Sequence, residues 1–187
     1  MIYQSPYPPI RLAGESITER VLRGLAGDPD RVVLIDGPTG REVSAHALET
    51  GIRRLAGGLR ARGIGKGDVV AILAPNLPEY ATVFHGVAYA GATVTTINPT
   101  YTAPEVAHQL QDAGAKLLVT IPAFLETARA AAGETEIAVI GEAEGATPLA
   151  ALMGEPLSAQ VPVDDAADVA VLPYSSGTTG LPKGVRL

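Results

Sequence analysis

The sequence predicts an α/β fold, a largely parallel sheet flanked by helices in βαβ units. Two observations carry this. Short β-branched apolar runs alternate along the chain with segments whose apolar residues recur every three or four positions. Helix-start signals also stand in front of most of those periodic segments. No fixed-period repeat interrupts the pattern, and 187 residues suffice for one domain with a substantial core.

Taken in order, Ser16-Ile17-Thr18-Glu19 has the form of a capping box ahead of Val21, Leu22 and Leu25. Val32–Ile35 reads as a strand, and the turn Asp36-Gly37-Pro38-Thr39-Gly40 after it predicts a hairpin. From Ser44 to about Arg62, Leu48, Ile52, Leu55 and Leu59 mark one face of an amphipathic helix. The glycine cluster Gly63-Ile64-Gly65-Lys66-Gly67 follows a helix and precedes the strand Val69–Leu73. A dinucleotide fingerprint has the opposite order, so the cluster reads as a helix end and turn.

Asn76-Leu77-Pro78-Glu79 predicts a helix with Asn76 as N-cap and Glu79 at the third helical position. That helix runs to about Ala90 and is apolar nearly all round, so it should be buried. Thr93–Thr96 is a short strand, and Thr102-Ala103-Pro104-Glu105 starts a helix that Gly114 closes. Lys116–Thr120 reads as a strand, 122–132 as a helix and Ile137–Ile140 as a strand. Residues 142–167 form a connector with one short helix near Leu149–Met153.

Composition narrows the function. Hydrophobic residues make up 47% of the chain and charged residues 18%, a globular balance. No apolar run is long enough to cross a bilayer, and the N-terminus lacks the pattern of a signal peptide. The absence of cysteine excludes a disulfide scaffold and thiolate chemistry, and fits a cytoplasmic location. Net charge is −6 and Arg53, Arg54, Arg60 and Arg62 spread along one helix as a solvated face, so nucleic acid is not an expected partner. His46, His85 and His108 are isolated from one another, with no second His at metal-ligand spacing, which argues for structural roles. Asp164, Asp165 and Asp168 read as a solvated linker.

The richest chemistry lies in Ser175-Ser176-Gly177-Thr178-Thr179-Gly180-Leu181-Pro182-Lys183-Gly184. One cation, four hydroxyls and three glycines share a short loop after the apolar run Val169–Tyr174, read as a buried strand. Glycines bring backbone N–H groups close to an anion, hydroxyls donate to phosphate oxygens, and the Lys ammonium adds a compact charge. The residues alone leave two readings, a phosphate cradle and a structural turn. A P-loop is a poor match, because Lys183 sits between Pro182 and Gly184 and no helix can start in the last three residues.

Pro173 through Val185 resembles the AMP-binding signature of the adenylate-forming superfamily. Asn76-Leu77-Pro78-Glu79, Gly91-Ala92, Asn98-Pro99-Thr100-Tyr101-Thr102 and Gly114–Thr120 are similar to the 4-coumarate–CoA ligase branch. The resemblance implies an acid–CoA ligase that converts a carboxylic acid and ATP, with Mg²⁺, into an acyl-adenylate and then transfers the acyl group to CoA. It implies that Ser175, Ser176, Gly177, Thr178, Thr179 and Lys183 contact the β- and γ-phosphates, with Lys183 compensating their charge. It also implies that residues 1–187 are the N-terminal part of the large AMP-binding domain. The Mg²⁺-binding Glu, the ribose-binding Asp, the acyl pocket and the C-terminal domain with its catalytic Lys are not in this sequence. The chain alone is therefore expected to be inactive, and an uncovered sheet edge is expected to promote self-association. A free-standing nucleotide-binding module without catalysis is the alternative, as is a fragment of a fatty-acyl–CoA ligase.

Overall fold

A computed structural model describes residues 5–8, 14–164, 166–175 and 182–187. Helix α1 (Ile17–Leu25) opens with the expected capping box, Ser16 and Glu19 each satisfying the other's backbone N–H. Strands β1 (Val32–Ile35) and β2 (Glu42–Ser44) form the expected antiparallel hairpin. Helix α2 (Ala45–Ala61) starts at Ser44, whose hydroxyl accepts from the Ala47 N–H. Gly63 and Gly67 have positive φ, as a helix end and turn require.

The main sheet follows: β3 (Val69–Leu73), β4 (Thr93–Thr96), β5 (Ala115–Thr120), β6 (Glu136–Val139) and β7 (Thr147–Pro148). Its order is β4-β3-β5-β6-β7 and every pairing is parallel. Helices α3 (Pro78–Tyr89), α4 (Ala103–Ala113) and α5 (Leu125–Ala132) connect the strands. The step from β3 to β4 and the return from β4 past β3 to β5 run in opposite directions. Connections of one hand therefore place α3 and α4 on opposite faces. Val70, Ile72, Leu117 and Val119 pack with α2 and α3, whereas Ala71, Leu73 and Leu118 pack with α4 and α5. Period-two alternation thus feeds two apolar layers, and the inner strands are buried on both faces.

Four readings need correction. Leu77, not Asn76, is the N-cap of α3, because Pro78 occupies the first turn; Glu79 falls one position early and instead pairs with Arg41 at 2.6 Å. The stretch 122–132 divides into a 3-10 turn, Pro122–Phe124, and α5. The connector contributes β7 to the sheet, and its short helix is a 3-10 turn, Leu149–Leu152. Arg53 does not belong to a solvated face. It bonds Glu49 at 2.9 Å and the Leu157 and Ser158 carbonyls at 3.1 and 2.9 Å, pinning the connector to α2.

The turn before β3 is held by Asp68, which accepts from the Gly65 N–H at 2.9 Å and pairs with Lys116 at 2.5 Å. The Lys116 bond, more than offsetting partial desolvation, holds the Asp68 carboxyl below its usual value. A depressed folded-state pKa contributes stability that is fully present above the unfolded carboxylate value. That stability is lost as pH falls through the folded value. The stability lost on acidification from pH 6 to pH 3 is expected to be smaller in Asp68→Asn than in wild type, measured by urea titration. Equal losses would remove Asp68 from the acid response.

Candidate phosphate-binding hairpin

The residues after 168 add to the free edge of β4. Val171 bridges Val94 in parallel, with Val94 N–H to Ala170 O at 3.0 Å and Leu172 N–H to Val94 O at 2.7 Å. Two β4 hydroxyls reinforce this edge: Thr93 donates to Val169 O and Thr95 to Leu172 O, each at 2.7 Å. Running parallel to β4, the segment carries Ser175 to the carboxyl ends of the strands, where open α/β sheets bind ligands.

Beyond Pro173 the chain turns back on itself. Strand β8 (Tyr174–Ser175) pairs antiparallel with β9 (Lys183–Gly184), and the Val185 and Leu187 N–H groups bond the Pro173 and Val171 carbonyls at 2.8 and 3.1 Å. The loop is therefore flanked by two strands rather than by a strand and a helix. Val169–Tyr174, expected as a buried strand, is only partly buried. It lies between β4 and residues 185–187, which are themselves exposed, and Pro173 has no N–H to continue a ladder.

Of the predicted site residues, the structure brings Ser175 and Lys183 together. They are direct cross-strand partners at the mouth of the loop, so both side chains leave the same face of the hairpin. Both are exposed, and Lys183 has no ion-pair partner among the described residues. Ser176, Gly177, Thr178 and Thr179 lie outside the described residues.

Tyr174 and Gly184 occupy the other face. The Tyr174 hydroxyl donates to Asp112 Oδ2 at 2.5 Å, and desolvation, then that bond and the Asp112 charge, push its pKa well above the usual phenol value. Behind the hairpin a cleft of about 680 Å³ opens between the chain ends leaving β3 and β4, lined by Asn76, Tyr80, Asn98, Tyr101, Gln109 and Tyr174 among others. Gln109 is 1% exposed and donates to Thr95 Oγ1 at 2.8 Å and to Thr96 O at 3.0 Å. Its Oε1 has no partner among the described residues. Sequence reasoning missed Gln109, Asp112 and Thr95, since no local pattern marks a contact made across the fold.

The remaining polar residues behave as scaffold. His85 Nδ1 lies 3.0 Å from the Thr18 hydroxyl, and burial lowers the pKa of its ring. His46 lies beside Thr50. Asp168 pairs with Lys66 at 2.7 Å and accepts from the Asp164 N–H, tying down the chain just before the hairpin; Asp165 lies outside the described residues. Thr102 and Glu105 form the capping box of α4, and Gly114 closes that helix in the left-handed conformation. No group of three or more potential metal ligands occurs among the described residues, and none of their helices is long and apolar enough to cross a membrane.

The family model described as AMP-binding enzyme matches residues 22–187. A 4-coumarate–CoA ligase of Oryza sativa subsp. japonica is 41% identical over 189 residues, covering all of this chain and 35% of the rice protein. One from Pinus taeda is 38% identical, with all of this chain and 36% of the relative covered. The chain thus spans about a third of the length of the curated relatives it matches. A long-chain-fatty-acid–CoA ligase from Archaeoglobus fulgidus superposes with a TM-score of 0.87 at 26% identity, over 99% of this chain and 39% of the other. An anthranilate–CoA ligase in complex with anthranoyl-AMP gives 0.82 at 27% identity, over 94% and 35%. With the family model matching all but the first 21 residues, the chain belongs to the AMP-binding enzyme family.

Proposed function

We propose that this chain is the ATP-phosphate-gripping part of an acid–CoA ligase, and that residues 1–187 belong to the N-terminal portion of its large AMP-binding domain. The observation that carries the reading is the cross-strand pair Ser175–Lys183 at the mouth of a Gly/Ser/Thr loop, delivered to the carboxyl ends of a parallel sheet. In the proposed reaction a carboxylate oxygen attacks the α-phosphorus of ATP and pyrophosphate leaves; the CoA thiol then displaces AMP to give a thioester. Negative charge grows on the leaving pyrophosphate, so donors and a cation already in place around it lower the barrier. Lys183 faces that charge and Ser175 donates beside it, with Ser176, Gly177, Thr178 and Thr179 completing the cradle. Mg²⁺ would share the phosphate charge, bound by residues other than these.

The relatives are named for acids of different shape, 4-coumarate, anthranilate and a long-chain fatty acid. The proposal therefore commits to the carboxylate–CoA ligase reaction and to no particular acid. The 187-residue chain by itself is expected to give ATP–pyrophosphate exchange at background. Titration with phosphate-bearing ligands tests the grip directly. Tripolyphosphate and ATP should bind most tightly, ADP more weakly and AMP most weakly, because the contacts lie on the β- and γ-phosphates. AMP binding as tightly as ATP would sink the reading and favour a nucleotide-binding module that recognises another part of the ligand.

A further inference from the structure

We propose that Tyr174 and Asp112 form a latch through which helix α4 fixes the mouth of the phosphate loop, making Tyr174 a positioning residue for polyphosphate binding. The inference rests on the phosphate reading of that loop given above. Strand β8 meets β9 over only two residue pairs. Backbone bonds from Val185 and Leu187 to Pro173 and Val171 continue the pairing below it, so Ser175 and Lys183 stand on the last described rung, where a ladder opens most easily. Tyr174 adds a tertiary tie to this end of the hairpin, from the position next to Ser175.

Alternation along the strand turns the Tyr174 ring to the face opposite Ser175 and Lys183. There the ring lies across Gly184, where an added Cβ would stand 3.3 Å from ring atoms Cε2 and Cζ and 3.1 Å from Leu172 Cδ1. Gly184 is not at positive φ, so what the position requires is room for the ring rather than backbone freedom. Passing over Gly184, the hydroxyl reaches Asp112 Oδ2 at 2.5 Å, 62 positions away in sequence.

Asp112 is placed against local preference. It sits in the last turn of α4, where the helix dipole disfavours a negative charge, and that turn carries no basic residue. It also has no cationic partner among the described residues. Its one described side-chain bond is the one from Tyr174. Helix α4 is a firm anchor, capped at both ends, with Val106, Gln109 and Leu110 buried. It grips the same segment at a second point, since Gln109 donates to Thr95 Oγ1 and Thr95 in turn to Leu172 O.

The test compares Tyr174→Phe, Asp112→Ala, Asp112→Asn and the double variant Tyr174→Phe/Asp112→Ala in this chain, with tripolyphosphate as probe. Tyr174→Phe keeps the ring and its packing, so a merely structural tyrosine predicts unchanged binding. The latch predicts that Tyr174→Phe and Asp112→Ala each weaken tripolyphosphate binding by about five- to tenfold, the range of one lost hydrogen bond of ordinary strength. Asp112→Asn, whose amide oxygen still accepts, should stay near wild type, and the double variant should be no worse than either single one. Amide hydrogen exchange of residues 170–187 without ligand should be faster in Tyr174→Phe and Asp112→Ala but not in Asp112→Asn. Wild-type exchange in Tyr174→Phe overturns the latch. Faster exchange with unchanged tripolyphosphate affinity overturns the positioning role. If the wild-type chain binds no tripolyphosphate, the phosphate reading falls, and exchange alone decides whether α4 holds the hairpin.

Discussion

Gly58→Ala is expected to destabilise the chain by about 3 kcal/mol or more, because overpacking against a fixed backbone has no inexpensive relaxation. Propensity alone predicts the opposite sign, since Ala inside a helix is favoured over Gly by about 1 kcal/mol. Position decides between them. Gly58 is buried in α2 under the connector, and an added Cβ would stand 1.7 Å from the Leu152 carbonyl oxygen. A Cβ on Gly57 would stand at the same distance from the Glu155 carbonyl oxygen, and one on Gly154 would reach the Gly58 N at 2.8 Å. Three glycines thus let two backbones touch. The contact is sealed by the Gly154 and Leu157 N–H groups, which bond the Arg54 and Arg53 carbonyls at 2.9 and 3.1 Å. A side chain at Gly58 must separate these strands of chain and leave their hydrogen bonds open. Urea denaturation should show the loss, and the melting temperature should fall by roughly 6–12 °C for a domain of this size. Gly24→Ala in α1 is the control: a Cβ there meets nothing within 4 Å, and its stability should rise by up to about 1 kcal/mol. A Gly58→Ala chain as stable as wild type would refute the close-approach account.

The same glycines mark the limit of what could be read from the sequence. The α2 stripe of Leu48, Ile52, Leu55 and Leu59 is legible because its period is local, and all four side chains are buried as that stripe requires. The capping boxes at Ser16 and Thr102 are legible for the same reason. Gly57-Gly58 carries no local meaning, since its partner lies about a hundred positions downstream in a connector without periodicity. Asn76 misled because Asn is a good cap in isolation, whereas Pro78 in the first helical turn moved the cap to Leu77. At the candidate site the asymmetry repeats. The loop's composition announced itself, as did Ser175 and Lys183, but their cross-strand pairing, the Thr95–Leu172 bond and the Asp112 tie are products of topology. Side-chain chemistry is written locally; the geometry that gives it direction is assembled from distant residues.

Lys183→Ala is expected to weaken tripolyphosphate and ATP binding at least about tenfold while leaving the stability of the chain unchanged. Unit charges about 4 Å apart attract by roughly 1 kcal/mol in bulk water and about 4 kcal/mol at the effective dielectric of a protein surface. Lys183 is exposed, which places it nearer the first limit, but a polyphosphate presents several charges rather than one. A factor of ten, about 1.4 kcal/mol, is the lower end of that range. The neutral donor opposite it should matter less: Ser175→Ala removes one ordinary hydrogen bond and should weaken binding by about two- to tenfold. Lys183→Arg should retain most of the affinity and Lys183→Gln little of it, because the charge, not the length of the stem, carries the interaction. Raising ionic strength from about 0.05 to 0.5 M should weaken wild-type binding far more than that of Lys183→Ala, since screening acts on the charge the variant lacks. Stability should be indifferent because Lys183 closes no ion pair among the described residues. Equal affinity of wild type and Lys183→Ala, with equal salt dependence, would remove the cation from the grip and leave the loop a structural turn.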